Sequence, residues 1–350
     1  MRLYKLDEQM DNIILTVVVP IYNGQKYIER CLNSLITQWK SHEGYEILCI
    51  NDGSTDNSYK ILLQYAKHYP ELIRIINQEN KGILAARNKG IEEAKGEIIA
   101  FCDMDDYLVY GAYQYLYDNF WTEEVDVVSF FSITLDQYVL KNWEETNDLQ
   151  GEIVFRGKGR EYYQRNKQMF VWNHLYRRQF IMKNNLRFSV PRYEDVLFNL
   201  DIYMHDPNVI ATNACLYRYT VNPDQTTKKR DAHTYRVIVD SIFSIYNSID
   251  EYIFHCEDDE MNLRLNLGKI KEEMAVRCLL KGLGGRYSEC EFTQLRNRMH
   301  EKGELPIRHI GGIQVVLLNQ IYKSYFLYRL ASLLYVDVLV PYILPHMGQN

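Results

Sequence analysis

The sequence predicts an α/β protein with a doubly wound, mostly parallel sheet and a helical C-terminal region. Three observations indicate this class. A β-branched run, IILTVVVP, occupies residues 13–20. Strand-like and helix-like segments then alternate up to about residue 102, and from residue 233 the periodicity is that of helices alone. Strands that alternate with helices at this spacing form parallel sheets.

The individual elements follow from local patterns. The run at 13–20 has the composition of a strand that is buried on both faces. A first helix is predicted where apolar residues recur at helical spacing, namely Ile28, Cys31, Leu32, Leu35, Ile36 and Trp39. Further strands are predicted at 46–50, 73–76, 98–102 and 125–131. Further helices are predicted near 61–66, 84–94, 233–256, 261–283 and 313–339.

The length of 350 residues exceeds one average domain. We therefore expect an N-terminal domain over residues 1–230 and a helical region over residues 231–350. A polar stretch at 136–160 interrupts the pattern and is interpreted as an insertion.

Composition excludes several classes. The net charge of −6 and the lack of a basic stripe argue against polymeric nucleic acid as a partner. Seven scattered cysteines, without a CxxC pair, suggest neither a disulfide framework nor a zinc site. Residues 1–12 do not resemble a signal peptide, and no apolar run reaches about 18 residues. We therefore expect a cytoplasmic protein.

Ligands of doubly wound sheets bind beyond the carboxyl ends of the strands. Pro20, Tyr22 and Asn23 follow or end the first strand, NDGSTDNS at 51–58 follows the second, and DMDD at 103–106 follows the fourth. All are expected at one edge of one sheet, which makes this edge the candidate site.

The DMDD segment supplies the carboxylates of Asp103 and Asp105, which suit a hard cation, Mn²⁺ or Mg²⁺, bridging two phosphates. Acidic pairs at strand ends can also be helix caps or solvated turns. Asp52 can accept a hydrogen bond from a nucleotide base. In NKGILAARNKG at 80–90, Asn80 and Gly82 form a loop, and Arg87 can face a diphosphate or lie exposed on its helix.

Taken together, VVVPIYN, NDGSTD, NKGILAARNKG and DMDD resemble the family 2 glycosyltransferases, and the resemblance spans about residues 13–220. MFVWNHLYRR, PRYEDVLFN and LYRYTVNPDQTT are similar to the acceptor side of bacterial members. The resemblance implies a GT-A-like, nucleotide-diphosphosugar-binding fold, a Mn²⁺ or Mg²⁺ ion and inversion at the anomeric carbon.

The resemblance also implies roles for single residues. Pro20, Tyr22 and Asp52 would hold the base and ribose, and Asp103 and Asp105 the ribose and metal. We assign Asn23, Asn80, Gly82, Arg87 and Met104 to the same donor site. Asn51 departs from the family, in which an Asp-Asp pair is common.

On the acceptor side, Asp195 would be the general base, with Glu194 positioning a neighbour; either carboxylate could instead mark a helix start. Trp172, Asn173 and His174 are assigned to acceptor binding, with core packing of Trp172 as the alternative. Lys228, Lys229 and Arg230 follow a loop that either closes over the diphosphate or is simply solvated.

These assignments predict transfer of a sugar from a nucleotide-diphosphate donor, a UDP-sugar, to a saccharide or lipid-linked acceptor in cell-surface polysaccharide or glycoconjugate synthesis. Nucleotidyl transfer is an alternative, but PIYNGQKY is not the glycine-rich phosphate loop it needs. A non-catalytic sugar-nucleotide-binding module would be expected to have lost one of the acidic motifs.

The C-terminal segment is apolar and aromatic but is interrupted by Lys323, Arg329 and Asp337. Such a pattern fits a helix in the interface of the inner face of the cell membrane. The alternative is a helix that packs on the core or in a homodimer.

Overall fold

The computed structural model describes residues 13–135, 149–166, 170–222, 231–257, 260–307 and 313–335. The chain divides into two compact units, one of residues 1–189 and 194–223 and one of residues 190–193 and 224–350. The expected boundary at residue 230 and the cationic group at 228–230 lie outside the described residues. Residues 136–148 of the polar stretch at 136–160 also lie outside them.

The first unit is built on a nine-stranded sheet. Its strands are β1 (Leu15–Ile21), β2 (Tyr45–Asp52), β3 (Ile73–Gln78), β4 (Ile98–Phe101), β5 (Tyr107–Leu108), β6 (Val127–Leu135), β7 (Ile153–Lys158), β8 (His174–Arg177) and β9 (Asn208–Thr220). They lie in the order β3-β2-β1-β4-β8-β6-β9-β5, and β7 pairs with β9.

The predicted α/β class is confirmed by the first four strands, which run parallel to one another. All seven residues of β1 are buried, as its continuous β-branched run requires. The strands beyond β4 make the sheet mixed, because β8 runs antiparallel to both β4 and β6. Strands β5, β7, β8 and β9 were not predicted.

Helices cover this sheet: α1 (Ile28–Ile36), α2 (Ser58–His68), α3 (Ile83–Glu93), α4 (Ala112–Phe120), α5 (Gly159–Arg165), α6 (Arg178–Lys183) and α7 (Glu194–Met204). A 3₁₀ turn, Val171–Asn173, precedes β8. The predicted stripe of α1 is buried, including Ile28, Leu32 and Leu35. Helix α3 packs closely on β1, since a Cβ atom on Gly90 would lie 2.2 Å from a methyl carbon of Val18.

The described part of the second unit is helical: α8 (Ala232–His255), α9 (Met261–Gly284), α10 (Glu289–Glu301), α11 (Ile313–Ile321) and α12 (Tyr325–Leu334). Its core contains the fully buried rings of Tyr246, Phe292, Tyr322 and Tyr328. Packing therefore accounts for part of the tyrosine content of the chain, which is 29 residues.

The prediction of one helix over 313–339 is wrong at residues 322–324, where the chain breaks between α11 and α12. Ser324 is extended and its hydroxyl accepts a hydrogen bond from the backbone N–H of Leu327, so it starts a new helix. Among the described residues, no helix has both the length and the apolar character needed to cross a bilayer.

Candidate active site

The carboxyl ends of β1, β2 and β4 lie side by side, because these strands are parallel neighbours. The pairing of β1 with β4 ends at Val18, whose carbonyl accepts from the N–H of Cys102. Backbone groups of every second residue in a strand point to the same side. The nitrogen of Pro20 therefore also faces the β4 side, beyond the last residue of β1 that pairs with β4. A proline is tolerated there because no strand partner needs its missing N–H.

The loop after β1 is tied to the loop after β2. Oδ1 of Asn23 accepts from the N–H of Thr55 at 2.8 Å, and the N–H of Asn23 donates to Ser54 Oγ at 3.1 Å. Asn23 adopts a positive φ of 52°. Its neighbour Tyr22 is 46% exposed. Asn23 thus holds the two loops together, and Tyr22 offers an accessible ring at the predicted nucleotide site.

Asp52 is buried at the end of β2 and anchors the loop before α3. Its carboxylate accepts from Gln78 Nε2 at 2.7 Å, from the N–H of Lys81 at 2.9 Å and from the N–H of Gly82 at 2.8 Å. Gly82 has a φ of 85°, which favours glycine. Asp52 therefore fixes the start of α3, and base recognition by Asp52 stays a prediction.

Gly53 and Gly24 allow close approach of the loops around the site. A Cβ atom on Gly53, whose φ is 67°, would lie 2.6 Å from the backbone nitrogen of Asn80. A Cβ atom on Gly24 would lie 2.4 Å from Sδ of Met104. The predicted donor-site residues Asn80 and Met104 thus sit against loops that follow β2 and β1.

The last aspartate of DMDD has a structural role. Asp106 is fully buried and accepts from the hydroxyl of Tyr217 at 2.8 Å and from the N–H of Thr220 at 2.7 Å. Burial, with the charges of Asp103 and Asp105 beside it, raises the pKa of Asp106 well above its usual range. The hydroxyl of Tyr217 also accepts from the N–H of Asp103, which fixes the acidic loop on β9.

Asp105 lies on the same loop and contacts two residues that the sequence did not single out. Its Oδ2 accepts from Asn222 Nδ2 at 2.5 Å, and its backbone carbonyl accepts from the guanidinium of Arg30 at 2.6 Å. The Arg30 guanidinium also donates to the hydroxyl of Thr220. Asn222 belongs to the segment LYRYTVNPDQTT, whose resemblance to family members was the available signal.

Arg87 connects the acidic loop with the Glu-Asp pair. It is 4% exposed, on the face of α3 that is turned into the protein. Nη2 donates to Asp103 Oδ1 at 2.9 Å, and Nη1 donates to Glu194 Oε1 at 2.9 Å. The guanidinium also lies over the ring of Phe188. Burial lowers the pKa of Arg87, but the charges of Asp103, Glu194 and Asp195 outweigh it and raise the pKa above the usual range, so the side chain is a permanent cation.

Glu194 and Asp195 begin α7 but have different surroundings. Glu194 is paired with Arg87, whereas Asp195 Oδ1 accepts from the N–H of Val196 at 2.9 Å. Burial raises the pKa of Asp195 to about 7, the charge of Glu194 adds to this effect, and the charge of Arg87 opposes it. A carboxylate with such a pKa can accept a proton near neutral pH.

The three predicted acceptor residues are buried. Trp172 is 5% exposed and its ring stacks on those of Phe170 and Tyr217, with centroids 4.7 Å and 4.4 Å away. His174 contacts the carbonyl of Phe170 and the hydroxyl of Tyr203, and burial lowers its pKa to about 4, so it is neutral. These contacts favour packing over direct sugar contact for Trp172 and His174.

Asn173 differs from its two neighbours. It is 1% exposed, and its side-chain oxygen has no hydrogen-bond partner among the described residues. A buried amide oxygen without a donor is energetically costly. Among Trp172, Asn173 and His174, Asn173 thus has a buried acceptor atom that is not hydrogen-bonded to any described residue.

The residues present fit a divalent cation that is shared with a ligand. Asp103 and Asp105 offer hard oxygen atoms, and the side chain of Asp103 remains 27% exposed. Within the described ranges, no group of three or more His, Cys, Asp or Glu residues could hold a metal. Two carboxylates match the way Mg²⁺ is commonly held, with phosphates and water completing its ligands.

Comparisons with known proteins identify the family of the chain. Residues 16–189, about half of the chain, match the family described as Glycosyl transferase family 2. The chain is similar to an uncharacterized glycosyltransferase, YibD, of Escherichia coli K12, with 33% identity over 212 residues. That alignment covers 59% of this chain and 60% of YibD, so the chain spans less than two thirds of this relative.

Two solved structures have a similar fold. S. aureus TarS 1-349 in complex with UDP-GlcNAc has a TM-score of 0.57 at 18% identity, and the match covers 93% of this chain and 92% of that one. The mannosyltransferase PcManGT from Pyrobaculum calidifontis, in complex with GDP-Man and Mn²⁺, has a TM-score of 0.53 at 14% identity, covering 93% and 88%. At these identities the likeness concerns the fold.

Proposed function

The chain belongs to glycosyl transferase family 2 through residues 16–189, and we propose that it transfers a sugar from a UDP-sugar to an acceptor hydroxyl with inversion. The observation that carries the proposal is the pair of 2.9 Å hydrogen bonds from Arg87 to Asp103 and Glu194. One guanidinium thereby links the acidic loop, where a diphosphate would bind, to the pair that contains the proposed base.

Asp195 is the proposed general base. An acceptor hydroxyl is a poor nucleophile at neutral pH, and removal of its proton as the new bond forms contributes about 10² to 10⁴ in rate. The pKa of about 7 suits this task, because about half of the Asp195 side chains are ionised at neutral pH and the ionised form is basic enough to accept a proton. The bond from Glu194 to Arg87 supports a positioning role for Glu194.

Inversion follows from a single displacement. The acceptor oxygen attacks the anomeric carbon from the side opposite the diphosphate, the bond from that carbon to the diphosphate oxygen breaks, and the acceptor proton passes to Asp195. The leaving nucleoside diphosphate gains negative charge in this step. Arg87 lies beside Asp103 and can stabilise that charge.

The proposed cofactor is Mn²⁺ or Mg²⁺, held by Asp103 and Asp105 together with the donor diphosphate. When bound, the cation neutralises charge on the leaving group. Two observations support its use: the two half-buried carboxylates on one loop, and the Mn²⁺ in the complex of PcManGT. Pairing of Asp105 with Asn222, and of Asp103 with Arg87, would orient the carboxylates toward it.

The proposed donor is a UDP-sugar, which is supported by the UDP-GlcNAc complex of TarS. Pro20, Tyr22, Asn23 and Asp52 would surround the nucleoside, with the exposed Tyr22 ring available to stack on the base. Asn80, Gly82 and Met104 lie on the loops beside them. These assignments rest on the position of all these residues at one edge of the sheet.

The proposed acceptor is a saccharide or a lipid-linked saccharide, as in the synthesis of cell-surface polysaccharide or glycoconjugate at the cytoplasmic side of the membrane. Asn173 has a side-chain oxygen without a partner among the described residues, but at 1% exposure it lies as deep as its two neighbours, so its proposed role is to support the acceptor site. Trp172 and His174 would support the site from behind, through their contacts with Tyr217 and Tyr203.

A donor panel tests the function. The protein is incubated with several UDP-sugars and with GDP-mannose, in the presence of Mn²⁺ and without acceptor, and released nucleoside diphosphate is measured. We expect slow hydrolysis of a UDP-sugar that Asp105→Ala abolishes. Asp118→Ala, at an exposed position of α4, is the matched control and should retain it.

Other outcomes would identify the alternatives. Release of pyrophosphate from a nucleoside triphosphate and a sugar 1-phosphate would indicate a nucleotidyltransferase. Binding of a UDP-sugar without hydrolysis, and without transfer to any saccharide tested, would indicate a binding module.

A further inference from the structure

Helix α12 turns its hydroxyl-bearing side chains inward. Tyr328 and Ser332 are buried, and their hydroxyls donate to the carbonyls of Gly282 at 3.1 Å and of Leu283 at 2.7 Å. The polar side of α12 therefore packs against the end of α9. This leaves the apolar side of the helix facing outward.

The outward side chains of α12 are large and apolar. Phe326 is 76% exposed and Leu330 is 51% exposed, and Leu327, Leu333 and Leu334 are exposed as well. A helix on a water-facing surface normally has the opposite arrangement, with polar residues outside. Clustered exposed apolar residues of this kind mark interaction sites.

Helix α11 has the same property. Val315 and Leu318 are buried, while Ile313 is 78% exposed and Val316 and Leu317 are more than half exposed. We call these outward side chains of both helices the C-terminal apolar surface, which consists of Ile313, Val316, Leu317, Phe326, Leu327, Leu330, Leu333 and Leu334.

The charges on this surface have one sign. Residues 313–335 contain Lys323 and Arg329 and no acidic residue, although the whole chain carries a net charge of −6. Both cations are exposed. Arg296 adds a third positive charge nearby, since its guanidinium donates to the carbonyl of Lys323.

We propose that the C-terminal apolar surface binds the face of an anionic lipid bilayer. Helices of nine and ten residues are too short to span a bilayer, which takes about 20 residues, but they can lie in its interface. Apolar side chains would then enter the acyl boundary while Lys323 and Arg329 meet anionic headgroups. This inference does not depend on the sugar-transfer reaction.

A second copy of the chain is the less suitable occupant. Two copies that met through this surface would bring together Lys323 and Arg329 of both, and residues 313–335 offer no carboxylate to pair with them. Like charges that lose water at an interface oppose association. An anionic bilayer supplies both the apolar phase and the opposite charge.

Flotation of the full chain tests the proposal without any sugar donor. The vesicles contain phosphatidylcholine alone or with about one third phosphatidylglycerol. We expect flotation with the anionic vesicles, and a partition coefficient that falls roughly a hundredfold in the double variant Phe326→Ser, Leu330→Ser. The matched control is Phe254→Ser, which changes an 81% exposed phenylalanine on α8 and should float as the parent does.

The variant Arg329→Glu distinguishes binding through lipid charge from nonspecific hydrophobic adsorption. It should weaken binding to anionic vesicles roughly 25-fold, about fivefold for each unit of charge, and leave binding to phosphatidylcholine unchanged. Absence of flotation, or equal flotation of parent and double variant, overturns the proposal. A different result would assign the surface to a second copy of the chain: the parent does not float and sediments as a dimer, and Leu330→Ser sediments as a monomer. Flotation gained only after removal of residues 336–350 would assign it to that segment.

Discussion

Arg87 donates a hydrogen bond to the carboxylate of Glu194 across 2.9 Å, although 107 residues separate them in the sequence. The bond gives the two acids at the start of α7 different tasks. Glu194 is held by a permanent cation, whereas burial and the charge of Glu194 bring the pKa of Asp195 to about 7. The proposed base, Asp195, is thus the acid whose pKa is raised by its surroundings.

Asp195→Asn should abolish most transfer while leaving the donor bound. The amide retains the size of the side chain but cannot accept a proton, so we expect turnover to fall about 10² to 10⁴-fold. The dissociation constant for UDP should change little, because a base acts mainly in the transition state. Steady-state hydrolysis of the donor and calorimetry with UDP give the two values. Near-normal turnover, together with an inactive Glu194→Gln, would reverse the two roles.

The pH dependence of donor hydrolysis follows from the pKa of Asp195. A base must be ionised to act, so kcat/KM should rise with pH to a midpoint near 7 and fall about tenfold for each unit below it. The measurement is made at saturating metal in overlapping buffers. A rate that is constant from pH 5 to 8 would contradict the assignment.

Glu194→Gln should move that midpoint to lower pH. The negative charge of Glu194 raises the pKa of Asp195, and its removal leaves Arg87 as the nearest opposing charge. Glutamine keeps an oxygen that can accept from Arg87. The same pH profile checks the direction, and Asp195 would not be the titrating base if the midpoint moved upward.

Local sequence patterns predicted the elements that show a continuous apolar run or a clear helical period, such as β1 and α1. Strand β1 is buried at all seven residues, so its signal is a continuous apolar run. The two residues of β5 and the four of β8 are too short to show a period. The break before α12 was missed because its signal is one residue, the helix-capping Ser324. The apolar residues on both sides of Ser324 continue the helical pattern.

Contacts between distant residues explain most of what the site analysis missed. Arg87 was assigned to the diphosphate from its place on a helix, but its partners Asp103 and Glu194 come from other elements. The burial of Trp172 depends on Tyr217 of β9, which no pattern near Trp172 records. By contrast, the acidic loop could be found because it follows a strand that the sequence predicts, and the Glu-Asp pair because it belongs to PRYEDVLFN, which is similar to family members.

Binding of UDP should require the divalent ion and Asp105. Without the ion, the diphosphate would face the charges of Asp103 and Asp105 directly, and like charges repel. We expect excess EDTA or Asp105→Ala to weaken UDP binding tenfold to a hundredfold, which corresponds to about 1.4 to 3 kcal/mol. Calorimetry with Mn²⁺ and with EDTA decides this. Equal affinity in both conditions would exclude a metal bridge.

The last prediction concerns the stability of the bridge itself. Arg87→Met removes a buried cation and leaves the carboxylates of Asp103 and Glu194, whose side chains are 27% and 19% exposed, without it. Breaking a buried ion pair by removing one partner costs about 3 kcal/mol. The free energy of unfolding in urea should fall by that amount.

Helix α3 supplies the matched control. Lys89→Met removes a cation two residues further on, where Lys89 pairs with Glu93 on the surface. Exposed pairs on helices contribute little, so this variant should unfold at nearly the same urea concentration as the parent. Arg87→Lys should be intermediate, because one ammonium keeps the charge but cannot reproduce a planar fork that reaches both carboxylates. If Arg87→Met and Lys89→Met are equally stable, Arg87 does not bridge the acidic loop and α7 in solution.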